Sequence, residues 1–244
     1  MRIDALTVKL RPRSMSEAVD LGVLMVQSHA RSVWRTCAPV FAVVMVLALS
    51  TIEISPWLPG LLIFWFKPWL DRSVLFVLSR SLFGQATTFA DLWQARSGVW
   101  RQQVLRTLTL RPLSPWRSFT QPIHQLEGQS GKALRLRSAQ LLSGQRGEAG
   151  LMHAVFAVIE AALIAGLAGT IFWLTPNGGG FGFFHWLTSV SGPATPLLGT
   201  LAFAAVVFVL EPFYVAAGFA MYINRRVELE AWDIEQEFRR AFSV

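Results

Sequence analysis

Charged residues are scarce in this chain. Only 15% of its 244 residues are Asp, Glu, Lys or Arg, whereas a soluble domain carries about 25%. The deficit is concentrated in long uncharged apolar stretches, and the mean hydropathy is +0.44. This distribution excludes an ordinary soluble domain and favours a protein embedded in a lipid bilayer.

Cysteine and the common catalytic motifs are also lacking. The single cysteine, Cys37, excludes an intrachain disulfide and a cysteine-based metal site. The four histidines are far apart and include no His-x-x-x-His pair, which argues against metal ligation. Residues 128–133 resemble a phosphate-binding loop but have the wrong spacing, and no G-x-S-x-G motif occurs. We therefore predict no catalytic residues and no cofactor.

Four apolar stretches are long enough to cross a bilayer, which takes about 20 residues. They cover residues 34–54, 57–82, 151–174 and 196–222. The second stretch is the least regular, because Lys67, Asp71 and Arg72 interrupt it. We expect an all-α, polytopic membrane helix bundle of about four spans, accompanied by amphipathic interfacial or cytoplasmic helices.

The positions of the basic residues predict the orientation of the spans. Of 22 Lys and Arg, six precede or open the first span, nine lie between the second and third, and four follow the fourth. Since cytoplasmic loops are enriched in Lys and Arg, we predict that both termini and the central segment are cytoplasmic. Orientation and anionic lipid head groups then explain the net charge of +7, and nucleic acid is not needed as a partner.

The predicted organisation has five regions. They are a cytoplasmic or interfacial N-terminal helix (1–33), spans 1 and 2 (34–82), a basic cytoplasmic segment with amphipathic helices (83–150), spans 3 and 4 with an external Gly/Pro-rich connector (151–222), and a cytoplasmic C-terminal helix (223–244). Ser14 with Glu17 three residues later indicates a capping box at the start of the first helix. We predict that this helix lies on the inner membrane surface.

A stripe of small residues predicts a helix-packing face on the third span. Ala157, Ala161, Ala165 and Gly169 recur every four residues, so they lie on one side of a helix. Small residues at this spacing let helix backbones approach closely, which is how membrane helices associate without a hydrophobic driving force. The sequence leaves open whether the partner is another span of this chain or another subunit.

Charged residues inside the apolar stretches are the most informative feature. Each costs about 2.5–3.5 kcal/mol at a helix centre, so an unpaired position facing lipid is disfavoured. Glu160 and Glu211 lie roughly 14 and 17 Å from the cytoplasmic ends of their spans, at about 1.5 Å per residue. Lys67 falls at a similar depth. We predict an intramembrane polar cluster of these three residues, which Asp71 and Arg72 can join one turn nearer the cytoplasm.

Two interpretations of this cluster stay open. The functional one is an ion or proton relay, or a pocket for a polar ligand. The structural one is an internal salt bridge that fixes the helix register, with Pro68 and Pro212 kinking the helices beside it.

Five stretches of the sequence resemble a family of uncharacterised bacterial inner-membrane proteins. They are LTVKLRPRSMSEAVDLG, FKPWLDRSVLFVLSRSLFG, LEGQSGKALRLR, SGQRG and EPFYVAAGFAMYINRRVELEAWDIEQEFRR. The last stretch is also similar to the end of the glycerophosphodiester-phosphodiesterase membrane-domain group. Members of the first family tend to be encoded near transglutaminase-like membrane proteins and AAA-type ATPases. The resemblance implies no enzymatic residues, and it implies a subunit of an envelope-associated assembly.

These observations lead to three functional hypotheses. The preferred one is a non-catalytic scaffold or subunit of a membrane complex in the bacterial inner membrane, with lipid head groups and other membrane proteins as partners. The alternative is a small transporter or channel that uses the intramembrane cluster. A membrane enzyme acting on lipid or envelope substrates is the third, and it requires a cleft of convergent polar residues that the sequence does not indicate.

Overall fold

A computed structural model describes residues 11–101, 109, 112–174 and 194–230. In these residues every regular element is a helix, which confirms the predicted all-α class. The helices are, in chain order, α1 (Met15–Ser28), α2 (Ala30–Leu49), α3 (Leu58–Ser81), α4 (Phe89–Gln94), a π-helix (Ser97–Arg101), α5 (Arg117–Gln125), α6 (Gly131–Leu142), α7 (Arg146–Leu174) and α8 (Ala194–Glu230). The predicted external connector and the C-terminal helix beyond residue 230 lie outside the described residues.

Three helices are long and apolar enough to cross a membrane. They are α2, residues Arg146–Thr170 of α7 and residues Pro196–Glu230 of α8. Helix α3 is continuous over 24 residues but is not among them, because Lys67, Asp71, Arg72 and Arg80 interrupt its apolar sequence. Its use as a fourth span therefore stays a prediction.

The first candidate span begins and ends earlier than the sequence predicted. The predicted stretch is 34–54, whereas α2 covers Ala30–Leu49. The helix ends because Ser50 Oγ and Thr51 Oγ1 donate to the carbonyls of Leu47 and Ala48, at 2.8 and 2.7 Å. Side chains that bond to nearby backbone carbonyls compete with helix continuation, so the apolar composition up to residue 54 overstated the helix length.

Helix α8 is the central element, and α1 and α2 run antiparallel along it. Arg13, just before α1, exchanges two hydrogen bonds of 2.8 Å with the side chain of Asn224, near the end of α8. Further along, Gly22 packs against Ala216, and Trp34 Nε1 donates to the carbonyl of Phe208 at 3.2 Å. Residues later in the α1–α2 pair therefore contact residues earlier in α8, which is the antiparallel arrangement.

Helix α1 is packed along α8, although the sequence predicted a helix lying on the inner membrane surface. The Ser14 hydroxyl accepts from the backbone N–H of Glu17 at 3.2 Å and so caps the helix as expected. Its buried residues Met15, Ala18 and Met25 belong to the main core cluster together with residues of α8. The surface position came from mixed polarity alone, which does not identify the element that the apolar face packs against. Its position relative to the membrane stays a prediction.

The middle of the predicted cytoplasmic segment is buried in the bundle. Helix α5 packs against both α8 and α3, and Arg117, Phe119 and Ile123 are each at most 4% exposed. A Cβ atom at Gly218 of α8 would collide with Ser118, so the glycine is what allows α5 to approach this closely. Composition marked residues 83–150 as a basic surface segment, but α5 is part of the core.

Helix α7 is the least buried of the long helices. Only 6% of its most apolar 18-residue window is buried, compared with 56% of the window in α8. Met152 and Phe156, in its first half, pack on the main core cluster. Most of the remaining described side chains of α7 are exposed, including Leu163 and Leu167.

The close approach of α1 and α8 gives a prediction. A Cβ atom at Gly22 would lie 2.5 Å from the carbonyl oxygen of Ala216, whereas one at Gly60 would meet nothing within 4 Å. We expect Gly22→Ala to lower the free energy of unfolding by about 1–3 kcal/mol through overpacking. Gly60→Ala should leave it unchanged or raise it by up to about 1 kcal/mol, because alanine favours helix. Unfolding midpoints of the purified variants in detergent check this, and equal midpoints would contradict it.

Candidate functional site

Lys67 of α3 joins two carboxylates from two other helices. Its Nζ lies 2.6 Å from both carboxylate oxygens of Glu160 on α7. The same Nζ is 3.4 Å from Oε2 of Glu211 on α8. The side chains of Lys67 and Glu211 are 4% and 3% exposed, whereas that of Glu160 is 21% exposed. One ammonium group therefore ties α3, α7 and α8 together, and only the α7 side of the cluster reaches the surface.

Arg117 brings α5 into the same cluster. Its Nη2 donates to Oε1 of Glu211, and its Nε is 3.4 Å from Oδ2 of Asp71, whose side chain is fully buried. Burial acts to lower the pKa of the Arg117 guanidinium, but attraction to Glu211 and Asp71 outweighs it and raises that pKa above its usual value. Arg117 therefore stays charged inside the bundle. We refer to Lys67, Asp71, Arg117, Glu160 and Glu211 as the charged cluster.

The charged cluster contains one more acid than base among the described residues. Three carboxylates, Asp71, Glu160 and Glu211, meet two cations, Lys67 and Arg117. With every group ionised, these five side chains carry a formal charge of −1, which one additional positive charge would neutralise.

Arg72 does not join the charged cluster, although the sequence suggested that it can. Consecutive residues on a helix point about 100° apart, so Arg72 leaves α3 in a different direction from Asp71. Its Nη2 donates to the backbone carbonyl of Gly98 in the π-helix at 3.3 Å. Beside it, Trp100 Nε1 donates to Ser73 Oγ at 2.9 Å. Arg72 thus attaches the π-helix to α3. Arg117 takes the place in the cluster that the sequence predicted for Arg72, as a second cation beside the carboxylates.

A cavity of about 410 Å³ opens next to the charged cluster. Lys67, Arg117 and Glu160 line it, together with apolar residues of α3, α7 and α8. On its wall, His153 Nδ1 and Tyr214 Oη form a hydrogen bond of 2.9 Å. The cavity therefore gives the cluster a route to the outside along α7.

Aromatic rings contribute to holding the two cations of the charged cluster. The Arg117 guanidinium lies 4.8 Å from the centre of the Tyr214 ring, and the Lys67 ammonium lies 5.7 Å from that of Phe203. Cations at such distances are attracted by the electron-rich faces of the rings.

The described Asp, Glu, His and Cys residues form no group of three or more suited to a metal ion. The carboxylates of the charged cluster surround ammonium and guanidinium groups instead.

The small-residue stripe of α7 is not packed against another part of the described chain. Ala157, Ala161 and Ala165 are exposed, and Gly169 is half-buried. A Cβ atom added at Gly169 would meet nothing within 4 Å. The helix-packing face predicted from the sequence is therefore open, and its N-terminal half borders the cavity, since Ala157 and Ala161 line it.

Arg117 is the residue of this site that sequence reasoning missed. It lies in a Pro-containing stretch between basic helices, and the orientation argument counted it among the cytoplasmic charges. The available signal was the surplus of acids in the apolar stretches, because Glu160, Glu211 and Asp71 exceed the single base Lys67 once Arg72 is excluded. Nothing in the sequence identified which of the nine basic residues of the central segment supplies the additional charge.

Comparison with known proteins adds no independent assignment. No family model, no curated protein and no solved structure matches this chain. The family resemblance of the sequence therefore stays a hypothesis, and the function has to be argued from the geometry of the charged cluster, its cavity and the open face of α7.

The geometry ranks the two glutamates of the cluster. Glu211 contacts both cations and is 3% exposed, whereas Glu160 is partly exposed and pairs, among the described residues, with Lys67 alone. We expect Glu211→Gln to cost about 3–5 kcal/mol, the usual result of breaking a buried pair, and Glu160→Gln to cost clearly less. The abundance and unfolding midpoint of each variant measure this, with Glu53→Gln on the exposed turn after α2 as the control. A larger loss for Glu160→Gln would contradict the ranking.

Proposed function

We propose that this protein is a non-catalytic subunit or scaffold of a membrane complex in the bacterial inner membrane. In this proposal, α7 packs against a transmembrane helix of another membrane protein. The observation that carries it is the open small-residue face of α7 beside the cavity of the charged cluster. The resemblance of the sequence to bacterial inner-membrane proteins supports the location.

Lipid is a poor cover for this part of the molecule. Charged residues within membrane-spanning helices almost always face the interior of a bundle or a water-filled cavity. Here the Lys67–Glu160 pair reaches the surface beside Ala157 and Ala161. A partner helix on the small-residue face would close the cavity mouth and could supply a polar side chain to the pair.

The proposed topology has four spans with both termini in the cytoplasm. Helices α2, α3, α7 and α8 cross in turn, so the even number returns the chain to its starting side. The hydrogen bonds between Arg13 and Asn224 support this arrangement, because they hold the beginning of α1 next to the end of α8. The use of α3 as a span is supported by its buried charges, which contact α5, α7 and α8.

Site-directed crosslinking tests the partner proposal. Ala165 and Leu163 are both exposed and lie on opposite sides of α7, and the one native cysteine, Cys37, is buried. We expect Ala165→Cys, labelled with a photoreactive maleimide in native membranes, to give one discrete adduct that Leu163→Cys does not give. Adding Ala161→Trp should abolish the adduct, because a large ring blocks close helix approach, without lowering the stability of the isolated protein.

The identity of the adduct decides between occupants. The proposal requires one membrane protein in the adduct, identified by mass spectrometry, whose deletion lowers the amount of this chain in the membrane. An adduct of twice the mass of this chain would assign the face to self-association. Equal labelling from both positions would show that α7 faces lipid, and either result would overturn the proposal.

A small transporter that moves protons or monovalent cations is the second candidate. The surplus carboxylate of the charged cluster favours it, since a buried negative charge attracts a compensating cation or proton. The cavity along α7 leads from the Lys67–Glu160 pair toward the surface. The titratable and charged groups that face the site are those of the cluster together with His153 and Tyr214.

Flux measurements distinguish this candidate from a purely structural cluster. In proteoliposomes with a pH-sensitive dye, the transporter hypothesis expects a voltage-driven flux that Glu160→Gln and Asp71→Asn abolish at unchanged protein abundance. Asp71→Asn keeps the shape of a protonated carboxyl group but cannot release a proton. Absence of flux in the parent protein would exclude the candidate, and failure of both variants to accumulate would identify the cluster as a salt bridge that holds the helices.

A further inference from the structure

A second cavity, of about 620 Å³, lies on the opposite side of α2 from α8. It is formed by the junction of α1 and α2 on one side and by residues 84–89, between α3 and α4, on the other. Ser32 Oγ and Thr36 Oγ1 both donate to the carbonyl of Thr87 at 2.9 Å. These two bonds hold residues 84–89 against α2 and so fix the shape of the cavity floor.

The lining of this cavity is basic and contains no carboxylate. Arg31 and Arg35, one turn apart in α2, are exposed, and His29 lies at the junction beside them. Neither guanidinium is within ion-pair distance of an Asp or Glu in the part of the chain that the structure describes. Ser28 and Thr88 also line the cavity, and their hydroxyls already donate to the carbonyl of Met25 and the carboxylate of Asp91.

The acid nearest to the lining residues along the chain, Asp91, is already engaged elsewhere. The Asp91 carboxylate accepts hydrogen bonds of 2.8 Å from both the backbone N–H and the hydroxyl of Thr88, which form the capping box of α4. These bonds lower the pKa of Asp91, so its charge is held in the cap and does not turn into the cavity. Arg31 and Arg35 consequently present a double positive charge that no carboxylate of the described residues compensates.

The rim of the cavity has the character of a membrane interface. Phe89 lines the cavity and is 36% exposed, and Trp93, one turn further along α4, is 51% exposed. The Arg96 guanidinium lies 5.1 Å from the centre of the Trp93 ring. Exposed aromatic rings beside arginine are typical of helices at the level of lipid head groups. Arg31 and Arg35 lie in the first turns of a candidate membrane span, which places the cavity at the same level.

We infer that this cavity binds the phosphate-containing head group of an anionic phospholipid, with Arg31 and Arg35 as its ligands. Guanidinium groups bind phosphate oxygens through paired hydrogen bonds. The acyl chains would then continue along α2 into the hydrocarbon region. This site is separate from the charged cluster and does not depend on a partner at α7.

Native mass spectrometry of the detergent-purified full chain, titrated with phosphatidylglycerol or phosphatidylcholine, tests the inference. We expect the parent protein to bind phosphatidylglycerol preferentially, and Arg31→Gln/Arg35→Gln to weaken that binding at least about tenfold, since each basic residue near an anionic lipid surface contributes roughly fivefold. The control is Arg135→Gln/Arg146→Gln, which removes the same charge from exposed positions outside the cavity. This control should weaken phosphatidylglycerol binding less than about twofold, because charges outside the cavity act on the lipid only through screened long-range attraction.

Three outcomes would overturn the inference. Equal weakening in both double variants would mean general electrostatic attraction, and no preference of the parent for the anionic lipid would mean that no head-group site exists. Displacement of the lipid by millimolar inorganic phosphate would assign the cavity to a soluble anion. If the double variant does not fold, Arg35→Gln alone should shift the affinity in the same direction by about fivefold.

Discussion

The attraction between Glu211 and the two cations beside it is the interaction on which the bundle depends. Glu211 lies near the middle of α8 and contacts Lys67 of α3 and Arg117 of α5, while Lys67 also holds Glu160 of α7. Each of these charges is expensive to bury alone, so the four helices are stable in this arrangement only together. Apolar packing alone would allow α1 and α2 to pack along α8 at several relative positions along the helix axis. The ion pairs fix one of them, because a charge displaced by a helical turn loses its partner.

The sequence predicts those features of the structure that depend on local composition and not those that depend on tertiary contacts. Long apolar stretches gave three of the helices and the all-α class, because length and hydropathy depend on local composition. The meeting of Lys67 with Glu160 and Glu211 could be inferred from their depth, since charges in an apolar environment need partners. The position of α5 could not, because RSFTQPIHQ has no apolar run and its burial comes from tertiary contacts such as Gly218 against Ser118. Arg72 shows the same limit: sequence distance from Asp71 does not give side-chain direction.

The described helices divide into a packed set and an open set. Helices α1, α2, α3, α5, α6 and α8 contribute to the main core cluster, and the first half of α7 adds Ala149 and Met152. Helix α7 joins them through the Lys67–Glu160 pair and the packing of its first half, and its remaining surface is available. The two cavities differ in how their cations are compensated. Lys67 and Arg117, which line the cavity beside α7, pair with carboxylates of the charged cluster, whereas Arg31 and Arg35 beside α2 pair with no carboxylate of the described residues.

The central place of α8 also determines the order in which the protein can be completed during synthesis. Glu211 is made after Lys67, Arg117 and Glu160, and at about 5–20 residues per second the ribosome reaches it roughly 5–20 s after Arg117. Until then Arg117 has no Glu211 to bind, and α1 and α2 lack the helix along which they pack. The nascent chain is therefore an open set of helices with exposed charges for several seconds. The arrival of α8 converts this intermediate into the packed bundle.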